Sequence, residues 1–228
     1  MAKAPSDETR LRQNRGTGTG ADYITWIKSR EFGSMGVSTS YPDYKTGRNV
    51  ELLSRGELYF YLLLRWNDNV SDIREQFPLL PLKETTEIAK ELGFKPSCNG
   101  RKVMTTDMLV TKTDGSEFAL SVKASKNDVT PRQMELMAIE QEYWKRRGVP
   151  YVIGYKDQVN EVEVRNIRDC TDMYDIREVR DEVGLVRHLI ARKMILVDMT
   201  KEIDYRKIID DLKDTELWKN SRQMLEHF

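Results

Sequence analysis

An α/β fold built on a mixed sheet is what the order of patterns in this chain predicts. Three stretches carry the prediction: an extended run at Val70 to Phe77, two strand-like segments inside "MTTDMLVTKTDGSEFALSVKAS" (104–125), and the helical "TPRQMELMAIEQEYWKRRG" followed at once by the β-branched and aromatic "VPYVIGY". Strand, strand, helix, strand in that order gives a core of mixed pairing.

Residues 1–40 are rich in Gly, Ser, Thr and Arg, and "RGTGTGADYITWI" sets a flexible stretch before Tyr23 and Trp26, so an arm with one short helix is expected. From Val50 to Trp66, "VELLSRGELYFYLLLRW" is apolar on most sides, which predicts a buried helix. The strand at 70–77 should be halted by Pro78 and Pro81. In the later helix Thr130 is placed to cap, Pro131 takes the first helical position and Gly148 ends it. After about residue 161 the chain is more charged and mostly helical in pattern, as in "DEVGLVRHLIARKM", with a short strand expected at Ile195 to Met199. The expected organisation is an N-terminal arm (1–40), an α/β domain (41–160) and a small, mostly helical C-terminal domain (161–228).

Composition removes several function classes. A chain of 228 residues, 39% hydrophobic, can bury a substantial core. No segment approaches the roughly 20 apolar residues of a membrane span, and Met1 to Gly20 has no signal-peptide core, so a soluble cytoplasmic protein is expected. Cys98, Cys170 and two histidines supply neither a disulfide framework nor a Cys/His zinc site, so any metal must be held by oxygen. Basic and acidic residues balance at 37 each, where a free-standing nucleic-acid binder is more often basic; DNA affinity would have to come from local patches or a partner.

The hairpin raises the question of Lys123, which directly follows an apolar run. A lone strand lysine is usually a solvated surface residue, and its meaning depends on what reaches it. Strand side chains alternate, so Met108 and Val110 share one face while Asp107, Leu109 and Thr111 share the other; on the second strand Phe118, Leu120 and Val122 oppose Ala119, Ser121 and Lys123. If the larger apolar sets pack together into the core, Asp107, Ser121 and Lys123 are brought together on the face away from it. A two-residue turn at Asp114 and Gly115 would set Asp107 opposite Val122, so an odd-numbered loop or a bulge is expected.

Glu57 is the third charge of interest. On a helix it lies in a stripe with Leu53, Phe60, Tyr61 and Leu64, a carboxylate among apolar neighbours. Ser54 three residues earlier also makes a capping-box pattern, which would account for the glutamate with no chemistry. Both readings stand on sequence alone.

A helix carboxylate, a strand-start aspartate and a hairpin lysine form the constellation of metal-dependent nucleases. Across residues 14–160 the stretches "RGTGTGADYITWI", "YKTGRNVELLSRGELYF", "VSDIREQFPLLP", "VMTTDMLV", "LSVKAS" and "IEQEYWKRRGVPYVI" resemble, in order, the TnsA family of endonuclease subunits from heteromeric cut-and-paste transposons. The resemblance implies a restriction-endonuclease-like mixed sheet flanked by helices with a PD-(D/E)xK-like site, and the C-terminal domain is expected to be winged-helix-like. It further implies that Glu57, Asp107 and Lys123 are the acidic pair and lysine, with the Val122 carbonyl joining Glu57 and Asp107 as a metal ligand. Ser121 departs from the motif, which wants Asp or Glu there and in this family tolerates Gln; a hydroxyl offers an ion little. Glu140 matches a family glutamate that orients the site, although a helix charge is ordinarily solvated.

The implied cofactor is Mg²⁺, with Mn²⁺ able to substitute, since hard oxygen ligands, phosphate and water suffice to bind it. Lys123 would position or deprotonate the attacking water and offset charge developing on the phosphorane, work for which arginine's pKa is too high. Competing motifs are weaker. "RGTGTG" lacks the Lys-Ser/Thr of a P-loop; Arg74, Glu75 and Gln76 read as a charged strand rim or as DNA-facing residues; and Arg187, Arg192 and Lys193 form a modest basic stretch.

The function expected from the resemblance is cleavage of the 5′ ends of a transposon, on transposon-end DNA, with a DDE-type TnsB-like transposase cutting the 3′ ends and an AAA+ TnsC-like regulator. The setting would be a bacterial cytoplasm, nucleoid-associated when active, with no membrane. The alternatives are an independent restriction or junction-type nuclease, and a non-catalytic assembly subunit in which Ser121 marks a decayed site.

Overall fold

The computed structural model describes residues 4–31 and 38–226, and the chain divides into two compact units, residues 1–158 and 159–228. The first unit holds α1 (Asp7–Arg12), the hairpin β1 (Thr39–Pro42) and β2 (Asn49–Leu52), α2 (Arg55–Trp66), β3 (Val70–Pro78), α3 (Leu82–Glu91), β4 (Thr105–Lys112), β5 (Glu117–Lys123), α4 (Pro131–Lys145) and β6 (Tyr151–Tyr155). Strands β3 to β6 form one sheet in sequence order, antiparallel except for the β5–β6 pair. Helix α4 makes the crossover that parallel pairing requires, and it starts with a full capping box between Thr130 and Gln133 and with Pro131 in its first turn.

The β4–β5 connection has an odd number of residues. Lys112 N–H donates to the Ser116 carbonyl at 2.8 Å, enclosing Thr113, Asp114 and Gly115, with Gly115 in the left-handed region at φ 81°. Glycine has no steric cost there. The resulting register sets Met108 opposite Leu120 and Val110 opposite Phe118, as the apolar pattern demanded.

Both faces of the sheet are covered. Helix α2 lies over the face of Val122 and Gly154: a Cβ on Gly56 would meet Val122 Cγ1 at 3.0 Å, and one on Gly154 would meet three atoms of the Phe60 ring at 2.5 to 2.9 Å. On the other face Leu109 and Ala119 are buried with Leu79, which follows β3, and with Ile88, Ile139, Tyr143 and Trp144 of the α3 and α4 layer. The face assigned to Asp107, Ser121 and Lys123 is therefore not away from the core, because α3, which the sequence reading missed, and α4 cover it. Gly154→Ala is expected to destabilise the protein by about 1–3 kcal/mol, the usual cost of overpacking, read as a lower urea midpoint.

Two further expectations change. The apolar run from Val50 is not one helix: Val50 and Leu52, both fully buried, belong to β2, pairing with Tyr41 and Thr39, and α2 begins only after the Ser54 cap. Gly16 and Gly18 of "RGTGTG" mark close approach rather than flexibility. A Cβ on Gly16 would lie 2.3 Å from Pro78 Cγ, and one on Gly18 would lie 2.3 Å from the Asp22 carbonyl oxygen. Trp26 beyond them is fully buried, Arg15 pairs with Glu31, and Gly20 N–H donates to Asp72 of β3.

The second unit is helical, with α5 (Glu161–Thr171), α6 (Glu182–Ala191), α7 (Tyr205–Leu212) and α8 (Glu216–Glu226). Ile167, Cys170, Leu185, Val186 and Leu189 are buried in it. The strand expected at Ile195 to Met199 is absent. The Asn166 amide donates to the carbonyls of Met199 (2.9 Å) and Lys201 (2.7 Å), so part of this segment bonds a side chain instead of a neighbouring strand. The basic residues here stack on aromatic rings, Arg187 over Tyr205 and Arg192 over Tyr174.

Candidate active site

Helix α2 carries Glu57 in its first turn, where the Ser54 hydroxyl accepts the Glu57 N–H at 3.1 Å. A complete capping box would fold the carboxylate back to the Ser54 amide. Here Glu57 Oε2 accepts the Leu53 N–H at 2.8 Å and the Gln76 side-chain amide at 3.0 Å, so half of the cap is made and the carboxylate is held toward β3.

The hairpin supplies the rest. Asp107 Oδ2 accepts the Val122 N–H at 2.6 Å and the Ser121 hydroxyl at 3.4 Å. Lys123 Nζ donates to Ser121 Oγ at 2.7 Å and to the Val122 carbonyl at 3.2 Å. Ser121, only 1% exposed, thus works as a link between lysine and aspartate rather than opening toward a ligand.

Glu57, Gln76, Thr105, Asp107, Val122 and Lys123 line one open cavity of about 650 Å³, with Arg55 and Lys156 also on its wall. Both cations are held over the Tyr59 ring. Among the described residues no three of His, Cys, Asp or Glu are grouped so as to hold an ion by themselves.

The electrostatics of the cavity are unbalanced. Burial, and then the charge of Asp107, push the Glu57 carboxyl up to about 8, despite the bonds from Leu53, Ser54 and Gln76. Burial also raises Asp107, which Lys123 and the Val122 N–H draw down only in part. Glu140 of α4 is pushed to about 8 by burial and then by Asp107. It is 7% exposed, accepts from the Thr106 hydroxyl at 3.4 Å, and so is not the solvated helix charge its residue type suggests. Its place in the stripe of Leu136, Tyr143 and Trp144 is the sequence signal that could have revealed its burial.

These shifts set a pH dependence for the metal-free protein. Glu57 and Glu140 hold protons in the fold to about pH 8, whereas the unfolded chain releases them near the ordinary 4.5. Between those values the folded state binds more protons, so stability falls as pH rises. Thermal midpoints in EDTA are expected to decline between about pH 5 and about pH 8; a midpoint that climbs through this window would contradict the burial of these carboxylates.

The expected strand rim is not one. Glu75 is fully buried and pairs with Arg48 at 2.7 Å, Arg74 pairs with Glu117 beside Thr111, and Gln76 enters the cavity.

Two comparisons bear on this arrangement. A family model described as TnsA-like endonuclease N terminal matches residues 67–155, a span that contains Asp107, Ser121, Val122, Lys123 and Glu140 but begins after Glu57. The transposon Tn7 transposition protein TnsA of Escherichia coli is 36% identical over 231 residues, covering 96% of this chain and 83% of that protein.

Proposed function

The chain belongs to the TnsA-like endonuclease family, and from that premise we propose that it is a metal-dependent DNA endonuclease that hydrolyses the 5′ ends of a transposon. A DDE-type transposase would cut the 3′ ends, and an AAA+ regulator would control the assembly. The observation that carries the proposal is the single cavity into which Glu57, Asp107 and Lys123 open.

The donor set fits Mg²⁺ or Mn²⁺. Two carboxylates are driven toward their protonated forms although Lys123 is bonded into their network, and Arg55 and Lys156 on the same wall are drawn over the Tyr59 ring, so a divalent ion between the carboxylates would favour their charged forms. Glu57, Asp107 and the Val122 carbonyl would hold it, with phosphate and water completing its shell, which is sufficient for Mg²⁺. A bound ion supplies Lewis-acid stabilisation of the phosphate and a more acidic water. Lys123 then orients the attacking water and places its charge beside the phosphorane. The Ser121 bond keeps the ammonium pointed at Asp107 and the Val122 carbonyl. Glu140, behind Asp107 and Thr106, orients the strand that bears the aspartate. The zero net charge suits a subunit whose placement on DNA is delegated to a partner.

The deciding experiment incubates transposon-end DNA with this chain, with a cognate transposase, and with both, in Mg²⁺ and in EDTA. Mg²⁺-dependent 5′-strand nicks that require this chain are expected. Nicking by the chain alone on unrelated DNA would favour an independent nuclease. Excision unaffected by mutation of Asp107 would leave only an assembly subunit.

A further inference from the structure

Among the described residues, Gln76 is the non-glycine residue that is held in the left-handed region inside a strand. It sits inside β3 at φ +48°, a left-handed conformation that non-glycine residues rarely adopt within a strand, and is 2% exposed. The alternation of β3 breaks there. Glu75 and Gln76 are both buried although adjacent, and Arg74 reaches over the Phe77 ring at 5.3 Å although residues three apart on a regular strand face opposite ways. Such strain costs on the order of 1–3 kcal/mol and persists where the surroundings impose it, most often at functional sites.

What the distortion achieves is visible in the amide. Gln76 Nε2 donates to Glu57 Oε2 at 3.0 Å, and its Oε1 accepts from the Thr105 hydroxyl at 3.2 Å, which fixes the amide's orientation. The same side chain also interacts with the Asp107 carboxylate. Glu57 and Asp107 lie 50 positions apart in the sequence, and Gln76 is a neutral side chain that bonds the first and lowers the carboxyl of the second. Neutrality matters. A lysine or arginine here would satisfy the carboxylates by charge and compete with any cation, whereas an amide holds their orientation and leaves their charge to be used.

We infer that Gln76 is a positioning residue, which fixes Glu57 and Asp107 in the mutual orientation that a divalent cation requires. The inference rests on the proposed function, and one set of titrations separates the two.

The test uses full-length protein with Mg²⁺ or Mn²⁺ alone as the probe. It measures the rise in thermal midpoint with cation concentration, and in parallel the Mg²⁺ midpoint of 5′-strand cleavage in the presence of the transposase. Gln76→Met keeps the volume and removes both hydrogen bonds; Gln76→Asn keeps an amide and tolerates a left-handed backbone, but is one methylene too short to reach Glu57. Each is expected to raise the cation midpoint by about 10–100-fold, the usual effect of removing a group that orients metal ligands, with cleavage restored in part by saturating cation. If Gln76→Met does not fold, Gln76→Asn decides. A midpoint within about twofold of wild type in a folded variant overturns the inference, as does lost cleavage at an unchanged cation midpoint. A wild-type protein with no cation dependence overturns instead the reading on which the inference rests.

Discussion

Asp107→Ala and Lys123→Ala are expected to reduce 5′-strand cleavage by about a hundredfold or more, the scale for removing one preorganised charge from a hydrolytic site, and to move stability in opposite directions. Asp107 is one cause of the raised carboxyls at Glu57 and Glu140, so deleting it relieves two buried repulsions. The metal-free Asp107→Ala protein should melt at or above the wild-type temperature at pH 8. Lys123 draws the Asp107 carboxyl down and helps to offset Glu140, so Lys123→Ala should melt lower. A shift of about 3 °C corresponds to about 1 kcal/mol in a chain of this size. Lys123→Arg keeps the charge but cannot take part in proton transfer near neutral pH, and is expected to fold and remain inactive. With a transposase still cutting 3′ ends, the product should change from excised element to a joined, cointegrate-type intermediate. Excision at the wild-type rate by Asp107→Ala would remove this residue from the chemistry, and loss of a cooperative transition would make its role structural.

The opposite stability effects depend on features that differ in how far the sequence announces them. The Asp107–Ser121–Lys123 link was legible because strand alternation and an apolar register leave only an odd-numbered loop between β4 and β5. Glu57 was legible as a carboxylate in an apolar stripe, but its partner was not. Half of the capping pattern is real, and the carboxylate is turned instead to the Leu53 N–H and to Gln76, whose left-handed backbone no spacing signals. Helix α3 was missed because Leu82 to Glu91 presents Ile88 and Ala89 as its fully buried apolar residues in an otherwise polar segment. That omission left the face that carries Asp107 apparently open, where α3 and α4 in fact cover it. The strand β2 was hidden for the converse reason. Val50 and Leu52 continue into the apolar helix with only Ser54 to mark the break, and a run of hydrophobic residues carries no period of its own.

The largest loss of stability is expected away from the cavity, at Asp43. This carboxylate, 2% exposed in the turn between β1 and β2, receives a two-pronged bond from Arg65 of α2, with Nε to Oδ1 at 2.9 Å and the other prong closed by Nη2. It also accepts the Lys45 N–H at 2.8 Å and the Thr46 hydroxyl at 2.9 Å. Arg65 is 2% exposed, so Asp43→Ala strands a guanidinium in the interior and should cost about 3–5 kcal/mol, the range for breaking a buried pair by removing one partner. Burial by itself would raise the Asp43 carboxyl, but the hydrogen bond and charge of Arg65 outweigh it and hold the group below its ordinary value. Its contribution is therefore present above the ordinary 3.8 and is lost as pH falls through the lower folded value, the reverse of the trend set by Glu57 and Glu140. Arg65→Met should cost less, because Asp43 keeps the Lys45 and Thr46 bonds that hold the turn. The double variant Asp43→Ala/Arg65→Met should recover much of the single Asp43 loss, since no charge is then left buried alone. Urea denaturation of the three variants checks all of this: an Asp43→Ala midpoint close to wild type, or a double variant no better than the single, would mean that the turn and not the ion pair anchors β1 and β2 to α2.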